Sequence, residues 1–140
     1  MELKDAIKNR HSTRKFSNEP ISKDEIDKLL WAGKSIPSAG GFYPLKIDVF
    51  FNIFVEAIGG NAPLLFIICA DFEKNKVKYG TRGKRYCVLE TGHSAQNICL
   101  MATALGLGSC CVGAFYDLVV QESFKLDYPP IYMVAVGRKK

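Results

Sequence analysis

The stretch RYCVLETGHSAQNICLMATALGLG, residues 85–108, limits the fold more than any other part of the chain. Strong helix formers run from Leu89 to Leu105 and stop at Gly106 and Gly108, so one long helix is predicted there. It is apolar nearly all the way round, and such a helix must be sheathed, either as the spine of a core or within a subunit interface. A chain of 140 residues that is 48% apolar is the size of one domain, residues 1–140, with limited core in which to hide it. The helix therefore argues for an obligate homodimer.

The remaining periodicity supplies elements to pack on that helix. Leu3, Ala6 and Ile7 recur at helical spacing over residues 2–9, and ISKDEIDKLLWAG adds a second helix, with Ser22 and Glu25 as a capping box and Gly33 as its stop. KIDVFF alternates as a half-buried strand, whereas LLFIICA and IYMVAV are continuous apolar runs of the length expected for strands covered on both faces. Short helices, three to five strands and a central helix make an α+β sandwich, a central antiparallel or mixed sheet flanked by helices, rather than a regular α/β alternation.

Several classes drop out. No apolar run reaches the length of a membrane span, and the N-terminus MELKDAIKNR lacks the apolar centre of a signal peptide, so the expectation is a cytoplasmic protein with no membrane partner. The net charge is +5, but the lysines are scattered and no nucleic-acid reader motif is present, which favours a small anion over nucleic acid. The five cysteines, Cys69, Cys87, Cys99, Cys110 and Cys111, lie in apolar stretches without a second pair at zinc spacing; they are read as buried reduced thiols, with no metal.

Four segments could carry chemistry. In RHSTR, extended backbone turns Arg10, Ser12 and Arg14 to one side, so two guanidiniums and a hydroxyl can meet one anion; a solvated pair bridged to carboxylates is the alternative. PSAGGFYP and GLGSCCVGAF place glycines where backbone N–H groups could approach a ligand, or where the chain merely turns. VKYGTRGKRY crowds Lys78, Tyr79, Arg82, Lys84, Arg85 and Tyr86 into what reads as a loop.

In their joint order, these segments, LETGHSAQNICLMATALGLGS and a last strand ending in Gly-Arg resemble the FMN-dependent nitroreductase superfamily over nearly the whole chain. PSAGGFYPL, KYGTRGKRY and GHSAQN bring it nearest to the branch that oxidises azolines to azoles in peptides. The resemblance implies an intertwined homodimer with FMN at the interface. It puts Arg10 and Ser12 at the flavin phosphate, Arg14 nearer the ring or ribityl chain, and Arg138 at the phosphate from beyond the last strand. Pro37, Ser38, Ala39 and Gly40 would be laid by the partner along the isoalloxazine, and Val112, Gly113 and Ala114 would lie near its N5. It also implies ping-pong hydride transfer from NAD(P)H to nitroaromatic, quinone or similar small acceptors.

Lys78 and Tyr79 match the pair implicated in proton removal in the azoline-oxidising branch; a lysine base would need burial or a cationic neighbour such as Arg82. Two departures stand out. The stretch between Asn52 and Pro63 is shorter than the family usually carries, which implies an open, tolerant site, and Lys84 stands where that branch often has an aromatic residue. A general NAD(P)H-linked reductase therefore ranks above an azoline oxidase, with a non-catalytic flavin sensor or carrier as a further alternative. His93 reads as a buried structural residue, and His11 as turned away from Arg10 and Ser12.

Overall fold

The computed structural model describes all residues from Met1 to Lys140. Two apolar runs set its centre. Strand β2, Gly60–Ala70, and strand β4, Pro130–Gly137, lie side by side, antiparallel. β1, Leu45–Val55, pairs with the outer edge of β2, and β3, Gly108–Val112, pairs with the outer edge of β4, giving the antiparallel order β1-β2-β4-β3.

Because successive strand residues face opposite ways, the runs in β2 and β4 feed two cores. Leu64, Phe66, Ile68, Val134 and Val136 face one side and meet Leu29 of helix α2, Lys23–Lys34, and Ala95, Ile98, Cys99 and Ala102 of helix α4, Arg82–Ala104. Leu65, Ile67, Cys69, Met133 and Ala135 face the other side with Cys110 and Val112. That second face is thinly covered: Phe50 and Ile53 of β1 and Val120 of the short helix α5, Asp117–Ser123, reach over it with Phe115 and Phe124. Between them lies a cavity of about 640 Å³, lined almost wholly by apolar side chains.

The capping box forms: Ser22 Oγ accepts from the Glu25 amide, and the Ser22 amide donates to the Glu25 carboxylate. α1, Leu3–Asn9, matches its expected span. Four expectations need correction. Gly33 does not stop α2 but lies inside it, where a Cβ would come within 2.9 Å of Ile47 and Ile98; a side chain is absent so that α2 can close on β1 and α4. α4 begins at Arg82 rather than near Leu89, so Lys84, Arg85 and Tyr86 are helical. GSCCV, expected in a loop, is strand β3 because β4 offers it an open edge. His93 is exposed on this chain, since α4 turns Ser94, Ala95, Ile98 and Cys99 to the sheet and leaves Val88, Leu89, His93 and Gln96 outward.

The strand begun by KIDVFF continues to Val55, turns through Glu56–Ile58, and returns directly as β2 after Gly59, at φ 66°. A hairpin thus occupies the short stretch between Asn52 and Pro63. No helix of the chain is long and apolar enough to cross a membrane.

Candidate functional site

The arginine loop is stitched to the end of the sheet where β4 finishes and β3 starts. Ser12 bridges Ser109 in parallel, the Thr13 amide donates to the Ser109 carbonyl at 2.8 Å, and the Ser17 amide donates to the Arg138 carbonyl at 2.9 Å. This extended path gives the alternation that period-two spacing requires. Ser12 and Arg14 are exposed and Arg10 half-buried, while Thr13 points inward, its buried hydroxyl without a hydrogen-bond partner. Neither Arg10 nor Arg14 pairs with a carboxylate, so the bridged alternative for this loop does not hold. His11 instead sits against the Asn9 carbonyl through Nδ1, 2.9 Å away.

Arg138 is placed otherwise than expected. Its Nη2 donates to both Glu25 carboxylate oxygens, at 3.0 and 3.2 Å, and its Nε lies 3.7 Å from Glu19. The capping box explains this: the Glu25 carboxylate that accepts from the Ser22 amide also faces the last residues of the chain, and it captures the guanidinium there. The Ser22 hydrogen bond, then Arg138, holds the Glu25 carboxyl below its ordinary value against the opposing effect of burial. An anion at this loop meets two free arginines and one already neutralised.

The small-residue loop lies at the other end of the sheet, where it leads into β1. Ala39–Gly41 form a single tight turn, with the Gly41 amide donating to the Ser38 carbonyl and the Tyr43 amide to Ser38 Oγ. Gly40 sits at φ 65°, and a Cβ there would fall 2.8 Å from the Phe42 ring and from the Tyr79 hydroxyl. Both properties demand glycine. Pro37 is exposed before the turn, and Ser38 and Ala39 are half-buried within it.

Tyr79 ends the short helix α3, Lys76–Tyr79, and is held edge-on by Phe42 and Tyr86, with ring centroids 6.2 and 5.0 Å away. It therefore buttresses the Gly40 turn. Lys78 is exposed, its Nζ 5.5 Å from the Tyr79 ring, and Arg82 Nε donates to the Tyr86 hydroxyl. Of the two conditions for a lysine base, burial is absent from this chain.

Val112 is buried at the end of β3, followed by exposed Gly113 and Ala114. Val112 and Ala114 line the apolar cavity, whereas a Cβ on Gly113 would face Tyr132 on the opposite side of the sheet. The predicted residues thus fall into three groups. Arg10, Ser12 and Arg14 lie at one end of the β3 edge, Val112 to Ala114 at the other end of that edge, and Pro37 to Gly40 beside β1. With β2 and β4 between them, β1 and β3 are about 14 Å apart at the usual strand spacing.

Sequence reasoning missed Glu90. It is 4% exposed on α4, both carboxylate oxygens lack hydrogen-bond partners, and it borders a second cavity of about 440 Å³ beside Gly33, Ile36 and Tyr43. Its neighbours in sequence, Leu89 and Thr91, gave no sign of an isolated acid.

An antiparallel α+β sandwich with an unpaired arginine loop does not by itself single out one activity. The comparisons narrow it. The nitroreductase family model matches residues 7–52 and 55–138. A protein of Methanocaldococcus jannaschii named as a nitroreductase is 34% identical over 182 aligned positions, covering 99% of this chain and 92% of that protein. That alignment is longer than this chain, so the relative carries internal residues missing here. Among solved structures, a nitroreductase family protein of Clostridium difficile superposes with a TM-score of 0.86 at 25% identity, covering 100% of this chain and 86% of that one. A Clostridium acetobutylicum protein titled as an NADH oxidase gives 0.83 at 28% identity, covering 96% and 87%. The chain belongs to the nitroreductase family, a family of oxidoreductases.

Proposed function

We propose that this protein is an FMN-dependent oxidoreductase that uses NAD(P)H to reduce small acceptors such as nitroaromatics or quinones, working as a homodimer. The observation that carries the reading is the loop in which Arg10 and Arg14 flank Ser12 without any carboxylate partner. Free guanidiniums beside a hydroxyl fit a phosphate monoester, which accepts charge-assisted hydrogen bonds from them. Arg10 and Ser12 would hold the phosphate end of FMN, with Arg14 nearer the ring or ribityl chain; Arg138, bound to Glu25 and Glu19, would reach the phosphate only by giving up a carboxylate.

When bound, FMN supplies the chemistry of accepting and passing on a hydride. The chain's own contribution is binding and orientation. The exposed backbone at Gly113 and Ala114 offers N–H groups to a planar ligand on the β3 edge, and the Pro37–Gly40 turn offers a small, flat surface. One copy keeps that turn on the β1 edge, so its meeting with the β3 edge calls for a second copy. Exposed Trp31, Tyr43, Val88 and Leu89 supply apolar surface for such an interface. The open hairpin in place of a longer cover favours broad acceptor tolerance. Exposed Lys78 and buttressing Tyr79 give the azoline-oxidising alternative little support.

The test is an absorption spectrum of the purified protein, with the chromophore released and weighed, followed by NADH or NADPH without air. Released FMN and bleaching by either donor are expected. A protein that neither contains nor takes up FMN would overturn the cofactor; a yellow protein that no donor bleaches would overturn the reductase and leave a flavin carrier.

A further inference from the structure

Cys99 on α4 and Cys111 on β3 face each other across the packed interface between helix and sheet, with their sulfurs 3.5 Å apart and both thiols free. The other three cysteines have different company. Cys69 Sγ lies 4.0 Å from the Asp48 carboxylate, Cys87 Sγ 3.9 Å from Asn75 Oδ1, and Cys110 Sγ 3.5 Å from a backbone carbonyl. Burial pushes the Cys69 thiol up to about 12 and raises Cys87 as well. Such thiols are inert.

Cys111 differs in two ways. It is half-buried rather than sealed, whereas Cys99 is 2% exposed. Its sulfur lies against the Cys99 sulfur, and that contact, with the Tyr132 hydroxyl and the Arg10 guanidinium in its surroundings, pulls it down to about 7 against the cost of burial. Cys99 is raised by the same contact and by burial. A partly accessible thiolate with a second thiol in van der Waals contact behind it has the geometry of a nucleophilic cysteine with its resolving partner.

We propose that Cys99 and Cys111 form an oxidisable dithiol, closed by hydroperoxides into a disulfide that ties α4 to β3. The Cys111 thiolate attacks a peroxide oxygen; the O–O bond breaks, an S–O bond forms, and the departing oxygen leaves with a proton as water or an alcohol. The Cys99 sulfur then attacks the sulfenic sulfur, the S–O bond breaks, and hydroxide takes the Cys99 proton and leaves as water. Two thiols have lost two hydrogens, and one peroxide has been reduced. To reach the usual bond length, the sulfurs approach by about 1.5 Å, and the packing of α4 on β3 already faces them. Closure also removes the anionic sulfur beside Arg10, so the thiol state and the anion loop share a charge.

Thiol counting on the intact chain tests this without reference to any flavin. After an equimolar dose of hydrogen peroxide and alkylation, the wild-type chain is expected to lose two alkylation sites. Peptide mapping should join Cys99 to Cys111, and dithiothreitol should restore both. In Cys99→Ser the bridge should vanish and dimedone should trap a sulfenic acid on Cys111. The wild-type oxidation rate should be half-maximal near pH 7, as the Cys111 thiolate forms. Five alkylatable thiols after peroxide, earlier oxidation of Cys69, Cys87 or Cys110, or a rate still climbing through pH 9 would each overturn the assignment.

Discussion

Arg10 and Arg138 come to the same end of the sheet from opposite ends of the chain, one with an unengaged guanidinium and the other clasped by Glu25 and Glu19. Their substitutions should therefore differ. Arg10→Ala removes a charged donor worth about 1.5–3 kcal/mol, so FMN affinity should fall roughly 10- to 150-fold by fluorescence titration. Arg138→Ala should weaken it much less and lower stability instead. Because the Glu25 carboxyl titrates below its ordinary value in the folded chain, its contribution is present above pH 4.5 and is lost as pH falls through the depressed value. Urea midpoints measured between pH 6 and pH 3 should decline, and Glu25→Gln should flatten that decline. At Glu90 the buried carboxyl group has no hydrogen-bond partner, so Glu90→Gln should raise stability, on the order of 1–3 kcal/mol, in urea unfolding at neutral pH. None of these contrasts could be read from residue type. The arginine loop was legible because alternation fixes which side chains share a side; the partners of Arg138 and the isolation of Glu90 depend on elements distant in sequence.

Elements announced themselves where a local pattern was sufficient. Ser22 and Glu25 form their box whatever follows, and the apolar runs in β2 and β4 contain residues for both faces of a sheet, so neither needed tertiary information. β3 did not: glycine, serine and two cysteines have no marked preference for extended backbone, and the strand exists because β4 leaves an edge to pair with. The charged start of α4 was obscured in the same way, since Arg82 to Arg85 read as loop until buried Asn75 fastens Gly83 through its carbonyl. The Gly40 turn lies between these cases, marked by its glycines but explained only by Tyr79. Gly40→Ala should cost about 1–2 kcal/mol in thermal unfolding, because it puts a Cβ both at positive φ and against two rings.

At the scale of the whole molecule, two cores of different quality share one sheet. The α4 side is closely packed apart from the smaller cavity beside Glu90, while the other side keeps a larger cavity beneath the hairpin and α5. The outward Val88 and Leu89 on α4, with Trp31 on α2, are the surface a second copy would cover. If it does, the mass in solution will be twice 15.6 kDa, and the melting temperature will rise with protein concentration, as association requires. A monomer at all concentrations would remove the dimer from the proposed function.

The strand order also sets a timetable. β1 and β2 are joined through Glu56–Ile58 and can zip locally, whereas β4 must enter between β2 and β3 after some sixty residues of intervening chain have been put in place. The hairpin is thus available to the folding transition state at little loop-closure cost, and the β2–β4 seam is the late, expensive step. Truncations in the hairpin should slow refolding, and truncations in β4 should mainly hasten unfolding. On a ribosome, where β4 follows the other three strands, the central seam of the sheet would stay open until β4 had emerged.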